Sequence, residues 1–329
     1  MSQQADQPAV VVTRGGVVES VHHATVVVCP PHGDPITVSG APDARIYPRS
    51  SLKPLQAVAI REQLAQAGVD MNPVQLAMAS ASHSGSDTHQ VEAAALLADA
   101  NLDESALRCP PSWPLDEEVR ASLQAKTTLS HNCSGKHAAM LWAHTTGGDA
   151  ASYLDPDSPL QSRIQRVLQE VLGEPPEGPG IDGCGAPAWR CSSTALARGF
   201  ARLHAGKEPG LAAVRDAMLT YPELIGGPGL SDTDLMFNDA RVVAKRGADG
   251  VMACGFSHPT HGPLGVSVKV LDGGDRAAGP LAAAVLHALG AVVPTDLLRT
   301  PVFGGDQLQG HITATPGIAS FVTAEFGLS

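Results

Sequence analysis

The sequence predicts an α+β protein in which one mixed sheet takes strands from both chain ends and a helical block is inserted between them. Three observations carry this: alternating apolar runs in residues 10–40, helical spacing through the middle, and alternating runs again after residue 240. The first strands are "AVVVTRGGVVES" and "ATVVVCPPHGD", and Gly15-Gly16 and Pro30-Pro31 punctuate them as an antiparallel hairpin would be. From Ser51 to Gly68, Leu52, Leu55, Val58, Ala59 and Leu64 recur at helical spacing. Gly68 stops the helix, and Pro54 is tolerated in its first turn. Further helices are expected over residues 87–100, 116–126, 136–146, 159–173 and 191–206. Strands then return in "ARVVAKRGADGVMACGFS" and "GPLGVSVKVLDGG", joined by glycine turns, followed by a helix over 275–290. No repeat, low-complexity tract or true linker is present, and "GEPPEGPG" reads as a loop. Residues 1–329 are therefore expected to form a single two-lobed catalytic unit.

Composition narrows the function. The 329 residues are 43% hydrophobic with 34 Gly and 26 Pro, which is globular and loop-rich; only 4% are aromatic, so Ala, Val and Leu must build the core. The net charge of -11 and the lack of a basic run argue against nucleic acid as a partner. No signal-like segment or long apolar run suggests a membrane, so a soluble cytoplasmic protein is expected. Six widely spaced cysteines do not suggest a disulfide framework, and some are candidate ligands.

The stretch "YPRSSLKPLQ" sets Ser50 three residues before Lys53, on one face of a helix. A serine needs a base to attack at neutral pH, and a lysine can serve if burial or a nearby cation lowers its pKa. By itself the same spacing suits an ordinary helix cap. "ASASHSGSDTH" supplies Ser82 beside His83, either in a polar capping loop or as a second hydroxyl that relays a proton. Lys269 in "VSVKV" alternates with Val268 and Val270, which suits a solvated strand position as well as a functional one. A serine and lysine on a helix, a serine on a loop and a lysine on a late strand together resemble the layout of penicillin-binding proteins and serine β-lactamases.

Two further segments, "HNCSGKHAAML" and "IDGCGAPAW", are more specific. With "RGGVVESVHHA", "YPRSSLKPLQ", "ASHSG" and "GVSVKVLDGGDRAA", they closely resemble the asparaginase II family, in consistent order from Arg14 to Ala278. The resemblance implies hydrolysis of L-asparagine to L-aspartate and ammonia, a serine β-lactamase/penicillin-binding-like fold and a homodimer. It pairs Ser50 with Lys53 and Ser82 with Lys269; either serine could attack, and fold analogy favours Ser50, with Lys53 as base and Lys269 supplying positive charge. Arg49 and Asp182 match positions that would hold the substrate's α-carboxylate and α-ammonium. His137 is a substrate-binding candidate and equally a structural hydrogen-bonding residue.

The resemblance also implies zinc, held by Cys133, Lys136 and Cys184. That role is expected to be supportive, since water activation by the metal would make the serines redundant. A lysine must lose its proton to bind a metal. "NCSGKH" is not a phosphate loop, because it lacks the earlier glycine and the hydroxyl residue after the lysine. "PVFGGDQLQG" departs most from the family pattern. The alternative enzyme is a glutaminase or another serine amidase, since one methylene gives a pocket only about 1–3 kcal/mol of discrimination. A non-catalytic zinc-binding or sensing protein on this scaffold is the alternative of another class.

Overall fold

The computed structural model describes residues 7–327. They form two compact units: a sheet unit (residues up to Ser51, Cys191–Ala205, and from Asp234 on) and a helical unit (Leu52–Arg190 and Gly206–Thr233). The strands in chain order are β1 (Val10–Arg14), β2 (Val17–His22), β3 (Ala24–Cys29), β4 (Ile36–Ser39), β5 (Arg45–Ile46), β6 (Glu177–Ile181) and β7 (Pro187–Ser192). They continue as β8 (Val242–Gly247), β9 (Val251–His258), β10 (Gly262–Val270), β11 (Thr300–Gly304) and β12 (Gln307–Ala314).

The fold is α+β, but the expected single mixed sheet is replaced by separate antiparallel ones. One sheet has the order β11-β12-β1-β2 and another the order β4-β3-β10-β9-β8. Every pairing between the described strands of these sheets is antiparallel. Tight turns at Gly15-Gly16 and Gly250 require it for β1–β2 and β8–β9, because short connections can join only antiparallel neighbours. Both chain ends do contribute: Val10 of β1 faces Ala314 of β12. The departing segment "PVFGGDQLQG" lies in the β11–β12 hairpin. At β7 the chain passes between units. Its Pro187–Arg190 stretch pairs with β6 in the helical unit, while Cys191 and Ser192 pair with β5 in the sheet unit.

The five-stranded sheet is covered by the helix Ser193–Ala205, which packs on β3, β9 and β10. Gly265 and Gly255 are cross-strand partners and so share one face. A Cβ on Gly265 would lie 1.8 Å from the Ala197 carbonyl oxygen, and one on Gly255 would lie 2.7 Å from that of Phe200. The helix backbone thus rests on a glycine pair, and buried Val27, Cys29 and Ala197 close the contact. Asp239 anchors the same unit at the start of β8. Its carboxylate accepts from the Arg241 guanidinium at 2.6 Å and from the Val292 N–H at 2.9 Å. Burial opposes its charge, yet these bonds hold its pKa below the ordinary carboxylate value.

In the helical unit, Pro73–Ser80 packs against Lys53–Gln66, Ser134–Thr145, Asp87–Asp99 and Pro209–Thr220. The apolar run Val74 to Met78 belongs to this helix, which opens with a reciprocal capping box between Asn72 and Gln75. Ser86 caps Asp87–Asp99, Ser158 caps Pro159–Leu172, and Gly173 ends the latter in a left-handed conformation. The helix expected over 116–126 is only Glu117–Ser122. The one expected from 191 begins at Ser193, because the two residues before it are committed to β7. All six cysteines are buried, and none is part of a disulfide. Among the described residues, no helix is long and apolar enough to cross a membrane.

Gly265→Ala should destabilise the protein by about 3 kcal/mol or more, or prevent folding, because backbone must move to admit one methyl. A urea unfolding curve within about 0.5 kcal/mol of wild type would refute the glycine contact. Asp239, with a depressed pKa, should contribute stability above the ordinary carboxylate range and lose it as pH falls through its own lower value. The stability gap between wild type and Asp239→Asn should therefore narrow from about pH 7 to about pH 3.5. A gap independent of pH would remove the ion pair as its cause.

Candidate active site

Ser50 lies in the 3-10 turn Arg49–Leu52, which runs directly into the helix beginning at Lys53. No side chain caps that helix, so neither serine of "RSSLK" is there as its N-cap. Ser51 is buried, and its hydroxyl donates to the Lys245 carbonyl at 3.1 Å. Ser50 is half-buried. The division between the two units falls inside the motif, after Ser51.

In the helical unit, Lys53 is 2% exposed and its ammonium has three acceptors. These are the Ala81 carbonyl at 2.6 Å, the Ser82 hydroxyl at 2.8 Å and the Cys133 sulfur at 3.1 Å. Burial drives its pKa down, against the pull of the Cys133 sulfur. On losing a proton the amine would keep two donors and gain a lone pair able to accept from Ser82. Ser82, expected beside Lys269, is thus bonded to Lys53. It is held two residues beyond the helix Pro73–Ser80 by its own N–H, which donates to the Ile225 carbonyl at 2.8 Å.

The two cysteines and Lys136 gather next to this pair. Cys133 precedes the helix Ser134–Thr145, and Lys136 sits in its first turn. Gly135 allows that turn to approach: a Cβ there would lie 2.7 Å from the Met78 carbonyl oxygen. Cys184 lies in the β6–β7 turn, closed by Asp182 N–H to Ala186 carbonyl and Gly185 N–H to Asp182 carbonyl. Gly185 takes φ +85, which suits this tight turn. Lys136 Nζ donates to Cys184 Sγ at 3.3 Å.

The two sulfurs are shifted in opposite directions. A hydrogen bond from Cys133 favours the Cys184 thiolate against the penalty of burial, and the Lys136 ammonium reinforces it. The same bond, with burial, pushes the Cys133 thiol up. Burial also works against the charge on Lys136, but Cys184, Cys133 and Asp182 outweigh it and raise its pKa.

His137 is fully buried and joins its Nδ1 to the Tyr153 hydroxyl at 2.7 Å. That hydroxyl also accepts from the Arg108 N–H at 2.9 Å. Burial lowers the His137 pKa, and the Cys184 sulfur opposes that shift. His131 accepts from the Cys133 N–H through Nδ1, and burial lowers its pKa to about 4. Tyr153 carries no motif or spacing that singles it out in sequence, whereas His131 opens the segment "HNCSGKHAAML".

The remaining candidates divide between the units. Asp182 is half-buried in the helical unit, where its side chain accepts from the Gly183 N–H at 2.7 Å. Arg49 and Lys269 belong to the sheet unit and meet one residue, Asp249. Arg49 pairs with its carboxylate and Lys269 donates to its carbonyl. Lys269 keeps the expected alternation, half-buried between fully buried Val268 and Val270. Burial lowers its pKa while Asp249 and Asp275 oppose the shift.

Among the described residues, no three His, Cys, Asp or Glu side chains form a metal-binding group. A metal in this cluster would need Lys136 as its third protein ligand. The donor set has the chemistry for it: two buried cysteine sulfurs, and an amine nitrogen 3.3 Å from Cys184 Sγ. Sulfur and nitrogen ligands of tetrahedral zinc are separated by about 3.5 Å.

Against known proteins, the chain is similar in structure to a Bacillus subtilis glutaminase in covalent complex with 5-oxo-L-norleucine. That likeness has 12% identity over 77% of this chain and 84% of the other, with a TM-score of 0.41. It is also similar to a β-lactamase from Sphaerobacter thermophilus, with 17% identity over 81% and 91% of the two chains and a TM-score of 0.42. At such scores these likenesses decide nothing. No curated protein sequence matches the chain. The sequence does match the family described as L-asparaginase II over residues 10–315, which includes the β11–β12 hairpin. A match over nearly the whole length shows the family, and the chain belongs to the L-asparaginase II family.

Proposed function

We propose that the protein hydrolyses the side-chain amide of L-asparagine, giving L-aspartate and ammonia through an acyl-enzyme. The observation that carries this reading is the buried Lys53 amine bonded to the Ser82 hydroxyl, a pair suited to proton transfer. Family membership supports an amidohydrolase.

Ser50 is assigned the attack. It is the more exposed of the two hydroxyls, Ser82 being 3% exposed, and the sequence spacing gives it Lys53 as base. Ser50 Oγ adds to the amide carbon as its proton passes to Lys53. The C–N bond then breaks, and the nitrogen leaves as ammonia on receiving that proton, with Ser82 as the relay. Water, deprotonated by the same amine, adds to the ester carbon. The Ser50 Oγ–C bond breaks, the proton returns to Ser50, and L-aspartate is released. Lys269 supplies positive charge, while Arg49 and Asp182 receive the α-carboxylate and α-ammonium.

Zinc fits Cys133, Cys184 and Lys136, which would hold it once Cys133 and Lys136 have lost their protons. When bound, it would supply a Lewis acid that orients substrate.

Ser50→Ala and Lys53→Ala should each lower ammonia release from asparagine by about 10³-fold or more in a folded protein. Ser82→Ala should lower it by about 10²-fold, as loss of a proton relay would. A fully active Ser50→Ala with a dead Ser82→Ala would transfer the attack to Ser82. In a separate experiment, elemental analysis should find about one zinc per chain in wild type and little in Cys184→Ser. Equal zinc in the two would exclude this cluster as its site.

A further inference from the structure

The β8–β9 turn, Ala248-Asp249-Gly250, is fixed from several sides within the sheet unit. Gly250 accepts from the Val270 N–H through its carbonyl at 2.8 Å, and its own N–H donates to the Asp275 carboxylate at 2.6 Å. Gly250 has φ +74, and a Cβ there would lie 2.7 Å from that of Val270, so this position must be glycine. Asp249, just before it, has φ +60, an uncommon conformation for a residue with a side chain. The segment carrying Arg49 is docked on the same strand end. A Cβ on Gly247 would lie 2.3 Å from the Pro48 carbonyl oxygen, and Ser51 is bonded to the Lys245 carbonyl. Arg49 itself adopts φ +55.

Asp249 therefore stands between two cations whose backbones are already set. Its carboxylate meets the Arg49 guanidinium, and its main-chain carbonyl accepts from Lys269, which lies opposite Val251 at the edge of this turn. We propose that Asp249 is a positioning residue: its side chain aims Arg49 at the substrate's α-carboxylate, while its carbonyl holds Lys269. The inference rests on the reading of Arg49 given above and names a residue which that reading does not use. An exposed ion pair contributes little to stability. Orientation of a guanidinium for bidentate binding is where such a pair can act, because the planar fork must meet a carboxylate in register.

The test compares binding of L-aspartate and isoasparagine, which differ in having an α-carboxylate or an α-carboxamide. Calorimetry on wild type, Asp249→Asn, Asp249→Ala and Arg49→Ala needs no turnover. Wild type should prefer L-aspartate. Both Asp249 variants should weaken L-aspartate by about ten-fold and change isoasparagine by less than about two-fold, and Arg49→Ala should do the same. The KM for asparagine should rise in the Asp249 variants more than kcat falls.

Retention of the wild-type preference in a folded Asp249→Asn protein would overturn the proposal. Equal weakening of both ligands would also overturn it, as a general disturbance of the turn. Preference retained by Arg49→Ala, in an enzyme that hydrolyses asparagine, would overturn the inference and leave the enzyme reading standing. A wild type that neither binds these ligands nor hydrolyses asparagine would bring down both.

Discussion

Burial of Lys53 is the constraint on which the helical unit's chemistry depends. Its ammonium is removed from water and meets a carbonyl, a hydroxyl and a sulfur, none of them a carboxylate. A carboxylate partner would hold the proton firmly, whereas these acceptors satisfy its N–H groups and leave burial free to lower its pKa. A lysine in such a place gives up its proton more readily than a solvated lysine does. Three separate backbone features make the place: the start of Lys53–Gln66, the chain leaving Pro73–Ser80, and the turn before Ser134–Thr145.

Glycine sets the spacing in both units. Gly135 brings the Cys133–Lys136 turn against the backbone at Met78, while Gly255 and Gly265 let a helix lie directly on the central sheet. Cys133 and Lys136 both favour the charged form of the Cys184 sulfur against the penalty of burial. Metal binding would have to release protons from the cluster.

Much of this was legible in the sequence because local rules governed it. The helix from Lys53 to Gln66 follows from its apolar spacing, Pro54 and Gly68, and the β8 to β10 strands from alternation between glycine turns. The separation of the described strands into three sheets was not legible, since alternation fixes the face of a residue and not its partner strand. The β11–β12 hairpin was hidden in a segment of weak family likeness, although it supplies the neighbour of β1. At the site, the candidate residue types were visible as motifs, but the bond from Lys53 to Ser82 joins residues 29 apart. Tyr153 and Asp249 left no signal, because a lone tyrosine and an aspartate in a glycine turn are ordinary in sequence. Their significance comes from what the fold sets beside them.

The most direct measurement is ammonia release by the purified protein from L-asparagine and L-glutamine at equal concentrations. A buried lysine base serving a serine amidase of this family should give release from asparagine well above that from glutamine. Release from neither by a folded protein would contradict it, and Lys53 would then be a structural lysine bonded to a structural serine.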